Sequence, residues 1–280
     1  MILLLFSTFI MSITTLGCEI DWEKLSQKTP FHKKNVRPQG LARLGDSVFL
    51  TNHYKDSDTD KETSDLFEIE LKSFSIINKF KFPEGFRHIG GLASDSSNLF
   101  AIDFDRQDFL KLDVSSNKEV LKIESLFKIP QRGLSGLALY NGIIAISHYI
   151  LPHKSPYFSD RYIRFFDLKG GNEISFNGEI LSSNYSQGLA FLKNEHGLYL
   201  LESINKFKSV LKYWITGLDN EPDIIRIYKI NIENKAIKHL ADYKSPANMI
   251  EDVAVLKNGN ILVTDEQNFS FYEGRLFNCL

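Results

Sequence analysis

The chain is built from short, almost purely apolar runs separated by turn residues, and the arrangement recurs. The runs are Val48-Phe49-Leu50-Thr51, Leu99-Phe100-Ala101-Ile102-Asp103, Ile143-Ile144-Ala145-Ile146-Ser147, Leu198-Tyr199-Leu200-Leu201-Glu202 and Ile261-Leu262-Val263-Thr264-Asp265. Each closes on a polar residue and follows a turn signal such as Asn141-Gly142 or Asn258-Gly259-Asn260. Upstream of every turn stands the tripeptide Gly-Leu-Ala, at 40–42, 91–93, 136–138 and 188–190, with a degenerate fifth copy in Asp252-Val253-Ala254. The central residues of the copies are 51, 45, 52 and 64 positions apart. Apolar runs bounded by Gly, Asn and Asp predict strands joined by hairpins, and their lack of polar residues predicts burial on both faces.

A third strand with apolar/polar alternation follows in the repeat, as in Leu66-Phe67-Glu68-Ile69-Glu70-Leu71, Phe109-Leu110-Lys111-Leu112-Asp113-Val114 and Ile225-Arg226-Ile227-Tyr228-Lys229-Ile230. A more polar fourth strand is expected at 76–80, 120–123, 174–176 and 236–240. Apolar inner strands and polar outer ones describe one blade of a β-propeller. Helix-period stretches are absent from most of the chain. The expected fold is therefore all-β, a β-propeller of five four-stranded blades, with six as the alternative because the long fourth unit has room for more strands. In the last unit Arg275-Leu276-Phe277-Asn278 offers a third strand and no fourth follows. A strand from the unassigned segment 20–31 would complete that blade, close the ring and remove two exposed edges.

Composition fits this picture. The chain has 280 residues, 43% of them hydrophobic and 24% charged, with 33 Lys plus Arg against 35 Asp plus Glu. That excludes disordered, collagen-like and coiled-coil classes. The net charge of -2 argues against nucleic acid as a partner. Two cysteines are too few for a disulfide scaffold or zinc ribbon.

The apolar run at 2–13 is shorter than a membrane-spanning helix and reads as a signal peptide, although no Lys or Arg precedes it. It ends at Thr15-Leu16-Gly17-Cys18, which resembles a bacterial lipobox with its Leu displaced by one. Cys18 is thus a candidate for lipidation, or for a disulfide with Cys279 if the termini meet, or for neither. The expected division is 1–17 signal peptide, 18–36 closing segment and 37–280 propeller. The expected location is outside the cytoplasm, in the cell envelope, with a lipid on Cys18 as membrane anchor, and the expected state is monomeric.

In a propeller, the loops leading into the innermost strands and those leaving the second strands share one face, here termed the upper face. The repeat places Arg37, Gln39, His88, Arg132, Ser135, Gln187, Glu251 and Asp252 on the former. It places Asn52, His53, Asp103, Asp105, Ser147, His148, Tyr149, Glu202, Ser203, Asp265 and Glu266 on the latter. Converging polar groups at a channel mouth are the default ligand site. Gln39, Asn52, His53, Ser135, Tyr149, Gln187 and Trp214 are the candidate ligand contacts, the last from an aromatic insertion at 203–223 that, like 148–161, rises over this face. His88 and His148 are the candidate proton carriers. Glu202, Glu251, Asp252 and Asp265 belong to adjacent units, and gathered carboxylates need a counter-charge, so Ca²⁺ is the expected metal. No organic cofactor is expected. Asp56-Ser57-Asp58-Thr59-Asp60 fails as an EF-hand, having Lys61 and Phe67 where Gly and Glu are required. No Gly-x-Ser-x-Gly elbow supports a serine nucleophile.

The segment Gly133-Leu134-Ser135-Gly136-Leu137-Ala138 with Ile144-Ala145-Ile146-Ser147 resembles the opening of phytase-like esterase and SdiA-regulated propellers. Ser186-Gln187-Gly188-Leu189-Ala190 is similar to their Glu-Gly-Ile/Leu-Ala repeat with Gln187 in place of an acid, and Glu251-Asp252-Val253-Ala254 through Thr264-Asp265-Glu266 resembles a later copy. The resemblance implies a secreted or periplasmic, calcium-associated propeller. Two functions follow as expectations. One is a binder of a small ligand or protein partner on the channel face. The other is a calcium-assisted hydrolase of an ester, lactone or phosphoester. A cation beside an open channel would favour the hydrolase, and a blocked channel the binder.

Overall fold

The computed structural model describes residues 19–25, 36–55, 61–115, 119–129, 134–148, 163–178, 180, 186–205, 222–247, 249–265 and 270–276. Its first strand is β1 (Asp21–Lys24). Blade one comprises β2 (Val36–Leu44), β3 (Ser47–Lys55), β4 (Glu62–Glu70) and β5 (Ile76–Lys81). Blade two comprises β6 (Ile89–Ser94), β7 (Leu99–Asp103), β8 (Asp108–Asp113) and β9 (Lys122–Lys128). Blade three has β10 (Leu134–Tyr140), β11 (Ile143–His148), β12 (Ile163–Asp167) and β13 (Glu173–Ile174). The fourth holds β14 (Asn177–Gly178), β15 (Ser186–Asn194), β16 (Gly197–Ile204), β17 (Ile224–Asn231) and β18 (Ala236–Lys244). The fifth holds β19 (Ile250–Val255), β20 (Ile261–Asp265) and β21 (Ser270–Arg275), with β1 as its outer strand in the order β1-β21-β20-β19.

Five sheets and a complete cycle of neighbouring inner strands, β2 to β6 to β10 to β15 to β19 and back to β2, make a closed five-bladed β-propeller. The ring closes as expected: Asp21 faces Arg275 and Lys24 faces Tyr272 across the β1–β21 ladder. The third strand of the fifth blade is displaced from the expected 275–278 to Ser270–Arg275, which buries Phe271 and Tyr272. Blade four carries a fifth strand that the pattern did not announce. The two-residue β14 pairs in parallel with the outer edge of β18, covering part of an edge that would otherwise be free. A similar device covers blade one. Lys81 N–H donates to Glu119 O at 2.7 Å, and Leu121 N–H donates to Lys81 O at 2.9 Å.

The apolar runs are buried on both faces because every blade is sandwiched between two others. One hydrophobic cluster fills each gap between blades. Phe49 of β3 packs toward Leu92 and Leu99 of blade two, whereas its neighbours Val48 and Leu50 pack toward Leu262 and Phe271 of blade five. The period-two alternation of a strand thus serves two interfaces at once. The hairpin at Asn141 (φ 47°) and Gly142 (φ 78°) has both residues left-handed, as a tight two-residue turn between twisted strands requires.

Candidate functional site

The centre of the channel explains the repeated Gly-Leu-Ala. At the first position of the motif each inner strand lies against the backbone of the next. A Cβ on Gly40 would come within 2.8 Å of Leu92 N, one on Gly91 within 2.8 Å of Leu137 N, and one on Gly136 within 2.9 Å of Gly188 Cα. The fifth blade breaks the rule and puts Asp252 there. Its carboxylate, with no exposed surface, enters the middle of the ring. Leu41 N–H donates to Oδ2 at 2.7 Å and Val253 N–H to Oδ1 at 2.7 Å. The amides of Leu92 and Leu189 also donate to it. Burial pushes the Asp252 pKa well up, and those four N–H groups oppose the shift without cancelling it. One side chain thereby ties together the inner strands of blades one, two, four and five and closes the channel at that level.

Below Asp252 the channel widens into a cavity of about 160 Å³, lined by the ends of the motif and the residues after it, from Leu41 and Arg43 round to Val253 and Val255. This cavity faces away from the upper mouth, where the candidate site residues lie.

At the upper mouth, one residue before Gly40 and Asp252, Gln39 and Glu251 meet. Gln39 Nε2–H donates to Pro38 O at 3.0 Å and, more weakly, to Glu251 Oε2 at 3.5 Å. On its other side Gln39 Oε1 lies 3.1 Å from His88 Nε2. The His88 ring is stacked between His53, centroids 4.6 Å apart, and Phe104, at 4.5 Å. His53 Nδ1 in turn lies 3.0 Å from Arg87 O. Burial, with the positive potential of His53 and Arg37, pushes the His88 pKa down to about 3, so the ring is neutral at physiological pH. Gln39, His53, His88 and Glu251, which lie on three blades, form one connected group.

The other sequence-derived candidates have different partners. Asn52 accepts from Asp65 N–H at 2.8 Å and fastens β3 to β4. Ser135 Oγ donates to Ser186 O at 2.8 Å and lies 3.0 Å from Ser147 Oγ, linking blades three and four. Gln187 is half-buried in β15. His148 is buried opposite Leu134, its pKa lowered to about 4 by burial and by Arg164, and it takes no part in the stack around His88. Glu202 accepts from Tyr228 Oη at 3.1 Å within blade four. Asp265 is fully buried opposite Ile250 and Ser270. Tyr149, Trp214, Cys18, Cys279 and the 56–60 loop lie outside the described residues.

Of the four acidic candidates, Glu202, Glu251 and Asp252 each face a different protein group. Among the described residues, no group of three or more His, Cys, Asp or Glu is arranged to hold a metal ion. Asp252, the most central of them, has its oxygens turned to backbone N–H groups. A carboxylate so oriented does not fit a cation that must displace those donors.

Sequence reasoning missed Phe104 as the third ring of the stack, and the role of the hydroxyls on the second strands, which fasten the inner strand to the second strand of its own blade. Thr51 Oγ1 accepts from Gly40 N–H at 2.7 Å, Ser147 Oγ from Gly136 N–H at 2.8 Å and Ser203 Oγ from Gly188 N–H at 2.8 Å. Their signal was present, since a hydroxyl recurs at the end of the second apolar run. It also missed the chain on blade four in which Arg226 pairs with Asp242 at 2.8 and 2.9 Å, and His239 meets Asp242 at 2.9 Å.

Fold and mouth together define a five-bladed propeller with a closed channel and a polar upper face. No family model matches the chain, and no curated protein matches it. Among solved structures it is similar to the glutaminyl cyclase of Myxococcus xanthus, with a TM-score of 0.57, 14% identity, and 92% of this chain aligned to 97% of that one. A weaker likeness is to U3-55K, with a TM-score of 0.45, 10% identity, and 85% of this chain aligned to 68% of that one. At such identities the likeness to the cyclase shows the fold alone.

Proposed function

We propose that this chain is an exported β-propeller, tethered through Cys18, that binds a small polar ligand or partner at the upper mouth of its channel. The observation that carries the reading is the linked group Glu251–Gln39–His88–His53, drawn from three blades over a floor closed by Asp252. Such a floor turns a through-channel into a cup, and hydrogen-bonding groups from separate blades at the rim orient what enters it. The calcium-assisted hydrolase is the less favoured reading, because Asp252 holds amides. His88 does not speak for catalysis either, since a ring whose pKa is pushed down to about 3 stays neutral and is a weak proton acceptor near pH 7.

The test is a thermal-shift screen of the mature chain against sugars, amines, amino acids and short peptides, with the Gln39→Ala variant alongside. A ligand of the mouth raises the melting temperature of the wild type and loses that effect in Gln39→Ala. If every stabilising compound acts equally on both, the site is elsewhere. Turnover of ester, lactone and phosphoester substrates would replace binding with hydrolysis. Cys18→Ser is expected to move the protein from the membrane fraction to the soluble one.

A further inference from the structure

We propose that Gln39 is a positioning residue that locks His88 as its Nε2–H tautomer, so that Nδ1 is the mouth's fixed acceptor and the ligand donates an N–H or O–H to it. The inference rests on the reading of the mouth as the binding site and adds the chemistry of what binds there.

The direction of the chain of hydrogen bonds follows from its far end. Pro38 O is a carbonyl and can only accept. Glu251 Oε2, on the same side of Gln39, accepts when ionised. Both lie beside one end of the Gln39 amide, at 3.0 and 3.5 Å, so that end is the NH₂ group. The opposite orientation would set the amide oxygen against two other acceptors. Oε1 therefore faces His88 Nε2 at 3.1 Å, and an amide oxygen accepts, so Nε2 carries the proton. In a neutral ring the second nitrogen is then bare. Nδ1 of His88 has no hydrogen-bond partner among the described residues.

Stacking reinforces the lock. His53 and Phe104 hold the ring on both faces at 4.6 and 4.5 Å, with interplanar angles of 25° and 20°, so it cannot turn over without separating both contacts. Burial first, and then the electrostatic influence of His53 and Arg37 on the neighbouring elements, disfavour a second proton on His88. Glu251 reaches it through the amide of Gln39. A carboxylate in direct contact would draw a second proton onto the imidazole, whereas an amide in between orients the ring and leaves it neutral. The result is a mouth in which the bare Nδ1 lone pair of His88 accepts. Hydroxyl-bearing and amino-bearing molecules complement it, and anions without a donor do not.

The test is ¹⁵N NMR of the histidine side chains in the mature, ligand-free chain, with His88 assigned by its loss in His88→Gln. The expected spectrum shows one tautomer, protonated at Nε2 and bare at Nδ1, unchanged from pH 7 to pH 5. Gln39→Ala should convert it to a mixture of tautomers. Gln39→Glu should restore the Nε2–H form and raise the titration midpoint of His88, which a merely structural role for Gln39 would not do. Sodium sulfate, an anion without a donor, should leave the Nδ1 signal in place. A proton on Nδ1 in the wild type would overturn the proposal, as would a charged ring at pH 7. So would an unaltered tautomer in folded Gln39→Ala, or a sulfate-induced shift of Nδ1. The wild-type spectrum decides even if the variants do not fold. Because it is read without ligand, an unproductive ligand screen leaves it standing, and a wrong tautomer defeats it whatever the screen finds.

Discussion

Glu251 and Asp252 are adjacent in sequence, alike in chemistry and opposite in fate. Glu251 stands at the upper mouth, where it meets the amide of a side chain, Gln39. Asp252 is turned into the middle of the ring, where it meets main-chain amides from four blades. Their side chains leave the strand on opposite sides, so the same functional group becomes a rim contact in one case and a structural hub in the other. The lesson is that an acidic pair in a repeat says nothing about shared chemistry until the register of the strand is known.

The contrast can be broken most forcefully at Gly188, where a Cβ would stand 1.9 Å from Asp252 Oδ1 and 2.5 Å from its Cα. Gly188→Ala is expected to cost roughly 3 kcal/mol, the upper range of an overpacked core. Urea unfolding of the double variant with Asp252→Gly should recover part of that loss, since the two residues share one space. Additive losses in that cycle would mean that the clash does not govern the packing of the hub.

Asp252→Ala comes next. It leaves the amides of Leu41, Leu92 and Leu189 without their acceptor, at about 1–3 kcal/mol for a buried group left unpaired. The same change at Glu251, which is also buried but meets Gln39 at the long distance of 3.5 Å, should cost less, about 1 kcal/mol, as the loss of one weak hydrogen bond does. Equal losses at the two positions, measured by chemical denaturation, would erase the distinction between hub and rim.

Acid should separate the mouth from the hub. The folded pKa of His88, about 3, lies below its unfolded value of 6.5. Between those values the unfolded chain binds the additional proton, so this contribution is intact above pH 6.5 and is lost as pH falls toward 3. Asp103, raised by burial to about 6, works in the opposite sense over its own window, its contribution being lost as pH rises from 3.8 to 6. A comparison with His88→Phe isolates the histidine. The wild type should weaken relative to that variant by on the order of a few kcal/mol between pH 6.5 and pH 4. A constant difference between the two across that range would mean that His88 is not held neutral.

The smallest expected effect is that of calcium. With Asp252 engaged by amides, chelator and added calcium should give the same melting temperature. A calcium-dependent rise abolished by Asp252→Ala would turn the hub back into a metal site.

Much of the architecture was legible in particular residues. Asn141-Gly142 announced a hairpin, the run from Ile143 to Ser147 a doubly buried strand, and the spare segment near Trp22 the strand that closes the ring. The displaced third strand of blade five, at 270–275 rather than 275–278, and the added strand β14 were not legible. Each is defined by what it pairs with, and two-residue ladders carry no periodicity of their own. The mouth was half legible. Repeat register put Gln39, His53, His88 and Glu251 on one face, but it put Asn52, Ser135 and Glu202 there as well, and their partners turned out to be within or between the strands themselves.

The sequence by itself determined five repeats of strand, turn and strand, because local turn chemistry and period-two burial are written in neighbouring residues. Only the tertiary structure decided that the fifth, imperfect copy of the motif is the one on which the others converge. A glycine at four positions and an aspartate at the fifth look like conservation and decay along the chain. Around a closed ring they are complementary: the missing side chain at Gly188 makes the space, and the N–H groups of Leu41, Leu92 and Leu189 make the partners, for the one side chain that is present.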